Sequence, residues 1–517
     1  MLNSLKFIFP FLLLIFSVFV NNYYGSLGVF PIDSFAFFDS AYVINHGVVP
    51  FRDYWVMNGP IVDLIQALFF NLFGTSWKIY VLHSSLINAF FAIMTYFFLN
   101  NLGLKKKISF FYSFLVSILA YPSAGVPFPD HHSIIFSLIG FYILYFATSR
   151  KKYIYWLLLP FPLFIAFFSK QVPAGYFFLL LVLFFIFYFL TKEGKIKYLI
   201  ALIISSFSLI FLLLFYLNFN KIYAQDFIIQ YFLFPQTIGQ DRINNLNLNF
   251  YLLKLVNEFK FITFGALLYL IIIFKKYLIN RVNFKFINFL NFILFLSIIF
   301  ILITNQILTK NQNLISFLIP IILGTIHSEI LYKKNKYKLF IYFLLIFACL
   351  STIKYHLRYN IDRKFMELQN INKSNFQDAE NLSKKLKGLK WITPMFSNDP
   401  EKEIEFLNVS ISYLKNNNKK KIILTEYQFI LAEINYKIYS PNRWYTTDGV
   451  SYPLNQNKYF GYYKKFYKNV LSRNEIDTIF TILPINIDNI QFLFEKNCIK
   501  TIQINEILYE HNIKDCF

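Results

Sequence analysis

A chain of 517 residues that is 56% hydrophobic and 21% aromatic, with its apolar residues in many long runs rather than one alternating core, has the composition of a multi-span membrane protein. That excludes a soluble enzyme. The net charge of +22 would suggest nucleic acid in a soluble protein, but here Lys and Arg cluster between apolar runs, where they act as topology signals. With no RNA- or DNA-reading motif, no nucleic-acid partner is expected.

The chain starts with one cation, Lys6, and an apolar run from Phe7 to Val20. Asn-Asn-Tyr-Tyr follows instead of a small-residue cleavage site, so we read an uncleaved first span. Ten further apolar segments follow, near 78–100, 106–121, 132–149, 153–168, 174–190, 197–217, 257–274, 286–304, 314–331 and 338–353. The expected fold class is therefore mainly α, a polytopic membrane protein of about eleven transmembrane helices. A C-terminal extracytoplasmic α/β domain follows it. The short loops after spans two, four, six, eight and ten carry seventeen basic residues: Lys105–Lys107; Arg150–Lys152; Lys192, Lys195 and Lys197; Lys275, Lys276, Arg281 and Lys285; and Lys333, Lys334, Lys336 and Lys338. By the positive-inside rule these loops are cytoplasmic, as is the N-terminus, and the C-terminal domain is outside.

Residues 1–353 hold only ten acidic side chains, and four of them, Asp33, Asp39, Asp53 and Asp63, fall within 31 positions of the first outer loop, residues 21–77. Clustered carboxylates in so apolar a chain need a reason. Within the loop, "DSFAFFDSAYVINHG" reads as an amphipathic helix from Asp33 or Ser34 to Gly47. A second helix, from Pro60 to Gly74, is too short to span and suits the interface. Asp33 can be a general base that takes a proton from an attacking hydroxyl, or an N-cap satisfying an orphan amide. Asp39, six residues on, cannot share its helix face. Arg52 could hold a phosphate through its fork, or pair with Asp53 at the surface.

The next outer loop, "YPSAGVPFPDHHS", presents Asp130, His131 and His132, a ligand set suited to a divalent ion only with help from elsewhere; hydrogen bonding to the first loop is the plainer reading. Lys170, in "SKQVPAG", stands between apolar spans, where an ammonium is costly and marks a site unless it snorkels to the interface. The Asn-rich stretch Thr304–Asn313 could line a sugar pocket or be a polar turn.

Beyond residue 353 the balance becomes that of a soluble domain, with 24 Lys and Arg against 18 Asp and Glu over residues 354–517. We expect domains at 1–353 and 354–517, the second with a helix opening at Asp399-Pro400, strands at "KIILTEY", "YKIYS", "DTIFTI" and "IKTIQI", and an aromatic helix near 457–471. No glycine-rich phosphate loop follows any strand. Of the three cysteines, Cys498 and Cys516 fall in this domain; outside the cell they can pair, the alternative being two buried thiols.

An acid opening a helix, an Ala eight residues later, then Gly, "PFRDYW", "NGP" and "LFG" resembles the first outer loop of the GT-C superfamily of membrane glycosyltransferases. The likeness is to the bacterial branch of protein mannosyltransferases, aminoarabinose transferases and rhizobial galacturonic-acid transferases. It covers roughly residues 5–350 in topology and rests mainly on residues 31–74 in motif. The resemblance implies a bacterial inner-membrane enzyme that moves a sugar, with inversion, from a polyprenyl-phosphate-linked donor in the membrane lipid to a glycan, lipid or protein acceptor on the outer side. It implies Asp33 as catalytic base, Arg52 and Lys170 on the donor phosphate, and Asp53, Asp130, His131 and Gln171 in support. The resemblance names no obligatory cofactor, and a divalent ion used by some members would be sought at Asp130 and His131. Many relatives follow the catalytic acid with Glu, where this chain has Ser34. The competing readings are an O-antigen-type polymerase or ligase, a transporter or flippase, and a membrane protein whose outer domain does the binding.

Overall fold

The computed structural model describes residues 7–244, 246–276, 286–310, 314–331, 337–495 and 498–516. The expected cytoplasmic cations Arg281, Lys285, Lys333, Lys334 and Lys336, and the end of the Asn-rich stretch at 311–313, lie outside the described residues.

Among the described residues, seven helices are long and apolar enough to cross a membrane: Ile8–Gly25, Trp77–Asn101, Pro129–Arg150, Gln171–Phe189, Ile196–Phe219, Phe286–Leu308 and Lys338–Met366. The pair Leu248–Asn257 and Lys260–Phe274, bent by 88°, makes an eighth if counted as one span. Three other expected spans form shorter helices. Lys106–Leu119 has 14 residues and Leu318–Ile330 has 13, while the third is interrupted at Pro160 into Tyr153–Leu158 and Pro160–Ser169. A helix of that length reaches about 20 Å, against a hydrocarbon core of about 30 Å. Of the eleven expected spans, seven or eight are helices of spanning length among the described residues.

The chain packs as two compact units. The first comprises Met1–Tyr24, Ser84–Leu213 and Arg242–Phe365. Its helices are tied by buried polar links. Asn21 Nδ2 lies within 3.1 Å of Ser84 Oγ, Ser85 Oγ and the Gly125 carbonyl, and Asn88 Nδ2 donates to the Ser117 carbonyl at 2.9 Å. Such side chains join helices where apolar packing alone gives little drive.

The second unit comprises Gly25–His83, Leu214–Asp241 and Met366–Phe517. Packing therefore divides the chain differently from the expected boundary after residue 353, because the first loop builds its contacts with the C-terminal region. Within this unit β1 (Gln377–Asp378) pairs antiparallel with β2 (Lys390–Trp391). A four-stranded sheet is made of β3 (Lys421–Leu424), β4 (Thr478–Ile482), β5 (Lys500–Gln503) and β6 (Leu508–Asn512), in the order β3-β4-β6-β5. β3 and β4 run parallel and the other pairs antiparallel. Helix Pro400–Asn416 opens on Asp399, whose side chain accepts from the Lys402 amide. The aromatic helix is Phe460–Arg473. Cys498 and Cys516 form a disulfide with Cα atoms 5.1 Å apart.

The segment "YKIYS" is not a strand. The Tyr436 hydroxyl takes the amide of Lys421 at 3.0 Å and donates to its carbonyl at 2.9 Å, so a side chain satisfies the edge of β3 there.

Candidate active site

Pro31 starts a one-turn helix, Pro31–Ser34, whose N-cap is Phe30 and which has no side-chain cap from that position. The Phe30 amide is bound instead by Ser34 Oγ at 2.9 Å. Asp33 is the third residue of the turn, and the reading of it as an N-cap does not hold. The chain then breaks at Phe35–Phe37 and resumes as helix Phe38–Ile44 rather than running unbroken to Gly47. The second loop helix forms as Ile61–Phe73, with Pro60 before it and Gly74 after it at φ +86°.

The turn lies along the segment that follows β3. The Trp444 indole donates to the Ile32 carbonyl at 3.0 Å, and the Asp39 amide donates to the Gln428 carbonyl at 2.9 Å. Between these ties, half-buried Asp33 comes under the influence of Glu426, two residues beyond the end of β3. Burial, and after it the charge of Asp33, pushes the Glu426 carboxyl up to about 7. Sequence reasoning missed Glu426. The signal for it was its place at the carboxyl end of a strand in a parallel pair, where open α/β sheets gather their ligands.

The other loop acids are bound to backbone amides or to arginines. Asp39 is buried and accepts the amides of Leu431 and Ala432 at 3.0 Å each. Burial raises its pKa to about 7, against those amides and Lys385, which favour the charge. Asp63, fully buried, pairs with Arg443 and accepts from Ser40 Oγ at 2.5 Å. The Arg443 guanidinium lies over the rings of Phe37 at 4.3 Å and Trp444 at 5.0 Å.

Arg52 binds Asp53 through both arms of its fork, at 2.9 Å and 2.7 Å, and reaches the carbonyls of Asn220 at 3.2 Å and Gly47 at 3.3 Å. Asp53 also accepts from the Val49 amide at 2.8 Å and from Arg473 at 2.6 Å. The surface-pair reading of Arg52-Asp53 is thus the geometry found, with Arg473 as a third member.

In the first unit, Asp130 lies in the first turn of helix Pro129–Arg150, and Lys170 Nζ meets both of its oxygens, at 2.8 Å and 2.7 Å. Lys170 is in extended conformation just before helix Gln171–Phe189, its carbonyl held by Ser133 Oγ at 3.1 Å; Gln171, half-buried, is the first residue of that helix. His131 Nε2 is 3.3 Å from Ser123 Oγ, and His132 Nδ1 is hydrogen-bonded to the Tyr121 hydroxyl. A cation does not fit Asp130 and His131 as they stand, because an ammonium already covers both carboxylate oxygens. Among the described residues no group of three or more His, Cys, Asp or Glu side chains could hold an ion.

The residues expected to share a site thus fall in two sets. Asp130, His131, Lys170 and Gln171 belong to the first unit; Asp33, Arg52 and Asp53, joined by Glu426, belong to the second.

Helices of spanning length and a small C-terminal sheet domain define a mainly helical, polytopic membrane protein. No family model and no curated protein sequence matches the chain. Among solved structures it is similar to the archaeal oligosaccharyltransferase AglB from Archaeoglobus fulgidus, in complex with an inhibitory peptide and a dolichol-phosphate. The match has 12% identity and a TM-score of 0.46, over 92% of this chain and 70% of that one.

Proposed function

We propose that the protein is an integral membrane glycosyltransferase that moves a sugar from a polyprenyl-phosphate donor to an extracytoplasmic acceptor hydroxyl, with Asp33 as general base. The observation that carries this is the use made of Asp33. Asp33 lies in the turn Pro31–Ser34 without being its N-cap, and its charge, after burial, helps push the Glu426 carboxyl up to about 7. Two acids whose surroundings set them apart are the arrangement by which an active site assigns a proton acceptor and a neutral neighbour.

In this reading the acceptor oxygen attacks the anomeric carbon as its proton passes to Asp33. The bond from that carbon to the phosphate oxygen breaks on the opposite face, giving inversion, and the polyprenyl phosphate leaves with the electron pair. Arg52, its fork committed to Asp53, contributes its field rather than direct hydrogen bonds. Asp53 holds Arg52 in place, and no step passes through a metal ion. The orientation that puts this chemistry outside rests on the seventeen cations of the short loops.

The test replaces Asp33 with Asn and follows lipid-linked intermediates and surface glycans by mass spectrometry, with thermal unfolding of the purified variant as the control for folding. Loss of a positioned base costs about 10²- to 10⁴-fold in rate. A variant that transfers sugar at the wild-type rate would remove Asp33 from the mechanism.

A further inference from the structure

A cleft of about 580 Å³ opens in the second unit, lined among others by Arg52, Asp53, Lys221, Lys437, Tyr439 and Arg473. Neither Asp33 nor Glu426 lines it. Its size is that of a small-molecule site rather than of a single ion. Four cationic side chains face one carboxylate among the described lining residues, so the wall carries three positive charges in excess. That carboxylate, Asp53, is already bound by Arg52, Arg473 and the Val49 amide. It is not available to neutralise Lys221 and Lys437, both exposed, for which no acidic partner is found among the described lining residues.

Lys221 holds a conformation that its residue type disfavours. It follows the helix Ile196–Phe219 by two positions and has φ +53°, a left-handed turn where glycine is the usual choice. A lysine at this position places an ammonium at the end of a helix long enough to cross a membrane, the level at which phosphate head groups lie.

We propose that this cleft binds a phosphate-bearing ligand, with Lys221, Lys437 and Arg473 as its cations. Asp53 holds the two arginines in place, and Tyr439 forms part of the wall beside the phosphate. Arg52 and Asp53 serve both readings, but the proposal uses neither Asp33 nor Glu426 and would survive the failure of the transferase reading. The shared chemistry is an anionic phosphate group, carried either by a soluble molecule or by a lipid head group.

Two probes distinguish the sources, each applied to the full chain. The first is sodium pyrophosphate, titrated calorimetrically into protein purified in detergent. The second is phosphatidylglycerol, present in or absent from phosphatidylcholine nanodiscs in which thermal unfolding is followed. The variant is Lys221→Gln/Lys437→Gln, whose exposed positions leave the fold intact; Asp33→Asn is the control. A soluble ligand predicts pyrophosphate binding that weakens with salt and drops about tenfold or more in the double variant, while Asp33→Asn binds as wild type does. A lipid ligand predicts that phosphatidylglycerol raises the Tm of wild type and not of the double variant. The proposal is overturned if wild type responds to neither probe, if the double variant responds as wild type does, or if Asp33→Asn loses the response too.

Discussion

Lys170 holds its ammonium 2.8 Å from one oxygen of Asp130 and 2.7 Å from the other, with the carboxylate side chain only 3% exposed. A pair this enclosed is stabilising only while both charges are present. Removing one leaves the other buried and uncompensated, a loss of about 3–5 kcal/mol, whereas removing both is far milder. Lys170→Met should therefore lower the Tm markedly, and Lys170→Met/Asp130→Asn should recover most of it. A double variant no more stable than Lys170→Met would show that the single loss does not come from a stranded charge.

Glu426 should make both stability and rate depend on pH near neutrality. Its folded value of about 7 lies above the ordinary 4.5, so between those limits the folded state binds more protons than the unfolded one. Stability contributed by the protonated group is then complete below the unfolded value and is lost as pH rises through the folded one. Glu426→Gln cannot titrate. Measured against that variant, the wild-type Tm should fall between pH 5 and pH 8. In the transferase reading the pH–rate profile of wild type should also show an ionisation near 7 that the variant lacks. Parallel curves for the two proteins would exclude this role.

The ion pair of Asp63 with Arg443 joins the second loop helix to the C-terminal region inside the second unit, with both side chains almost wholly buried. Asp63→Ala strands a guanidinium among aromatic rings and should destabilise by about 3–5 kcal/mol in denaturant unfolding. Arg443→Lys should not be conservative, since an ammonium cannot lie flat over Phe37 and Trp444 while reaching Asp63. A lysine variant as stable as wild type would mean that the planar stacking contributes nothing.

The bridge between Cys498 and Cys516 closes a loop of 18 residues at the end of the chain. Constraining a loop of that length is worth about 3 kcal/mol. Thiol titration under denaturing conditions should find one reactive group before reduction, from Cys349, and three after it. Cys498→Ser/Cys516→Ser should unfold at lower denaturant than wild type; coincident curves would show the bridge to be energetically idle.

The membrane class, most of the helices, and the strands "KIILTEY", "DTIFTI" and "IKTIQI" could be read from apolar run length and alternation, because those patterns reflect local burial. What escaped was set by distant partners. The first loop helix breaks because Phe35, Ala36, Phe37 and Phe38 are all nearly fully buried, Phe35 against Trp77 and Trp391 and Phe38 against Phe70 and Tyr80. Burial on every side overrides the helical period that the sequence displays. Strand β6 was missed because its residues, "LYEHN", do not alternate simply, yet it pairs with both β4 and β5. Asp33 could be found from its surroundings in the sequence, but Glu426 could not be linked to it, since nothing local ties two residues so far apart in the chain.

Asp39 and the amide of Leu431 that it accepts are separated by 392 positions. At ribosomal rates of about 5–20 residues per second, the carboxylate is made on the order of 20–80 s before its partner exists. During that interval the loop has left the ribosome without the groups that fix its final form. Strand β6 is made after β4 and β5 and then joins them within the sheet. The residue on which the chemistry is proposed to turn waits over a similar interval for Glu426, which lies 393 positions further on.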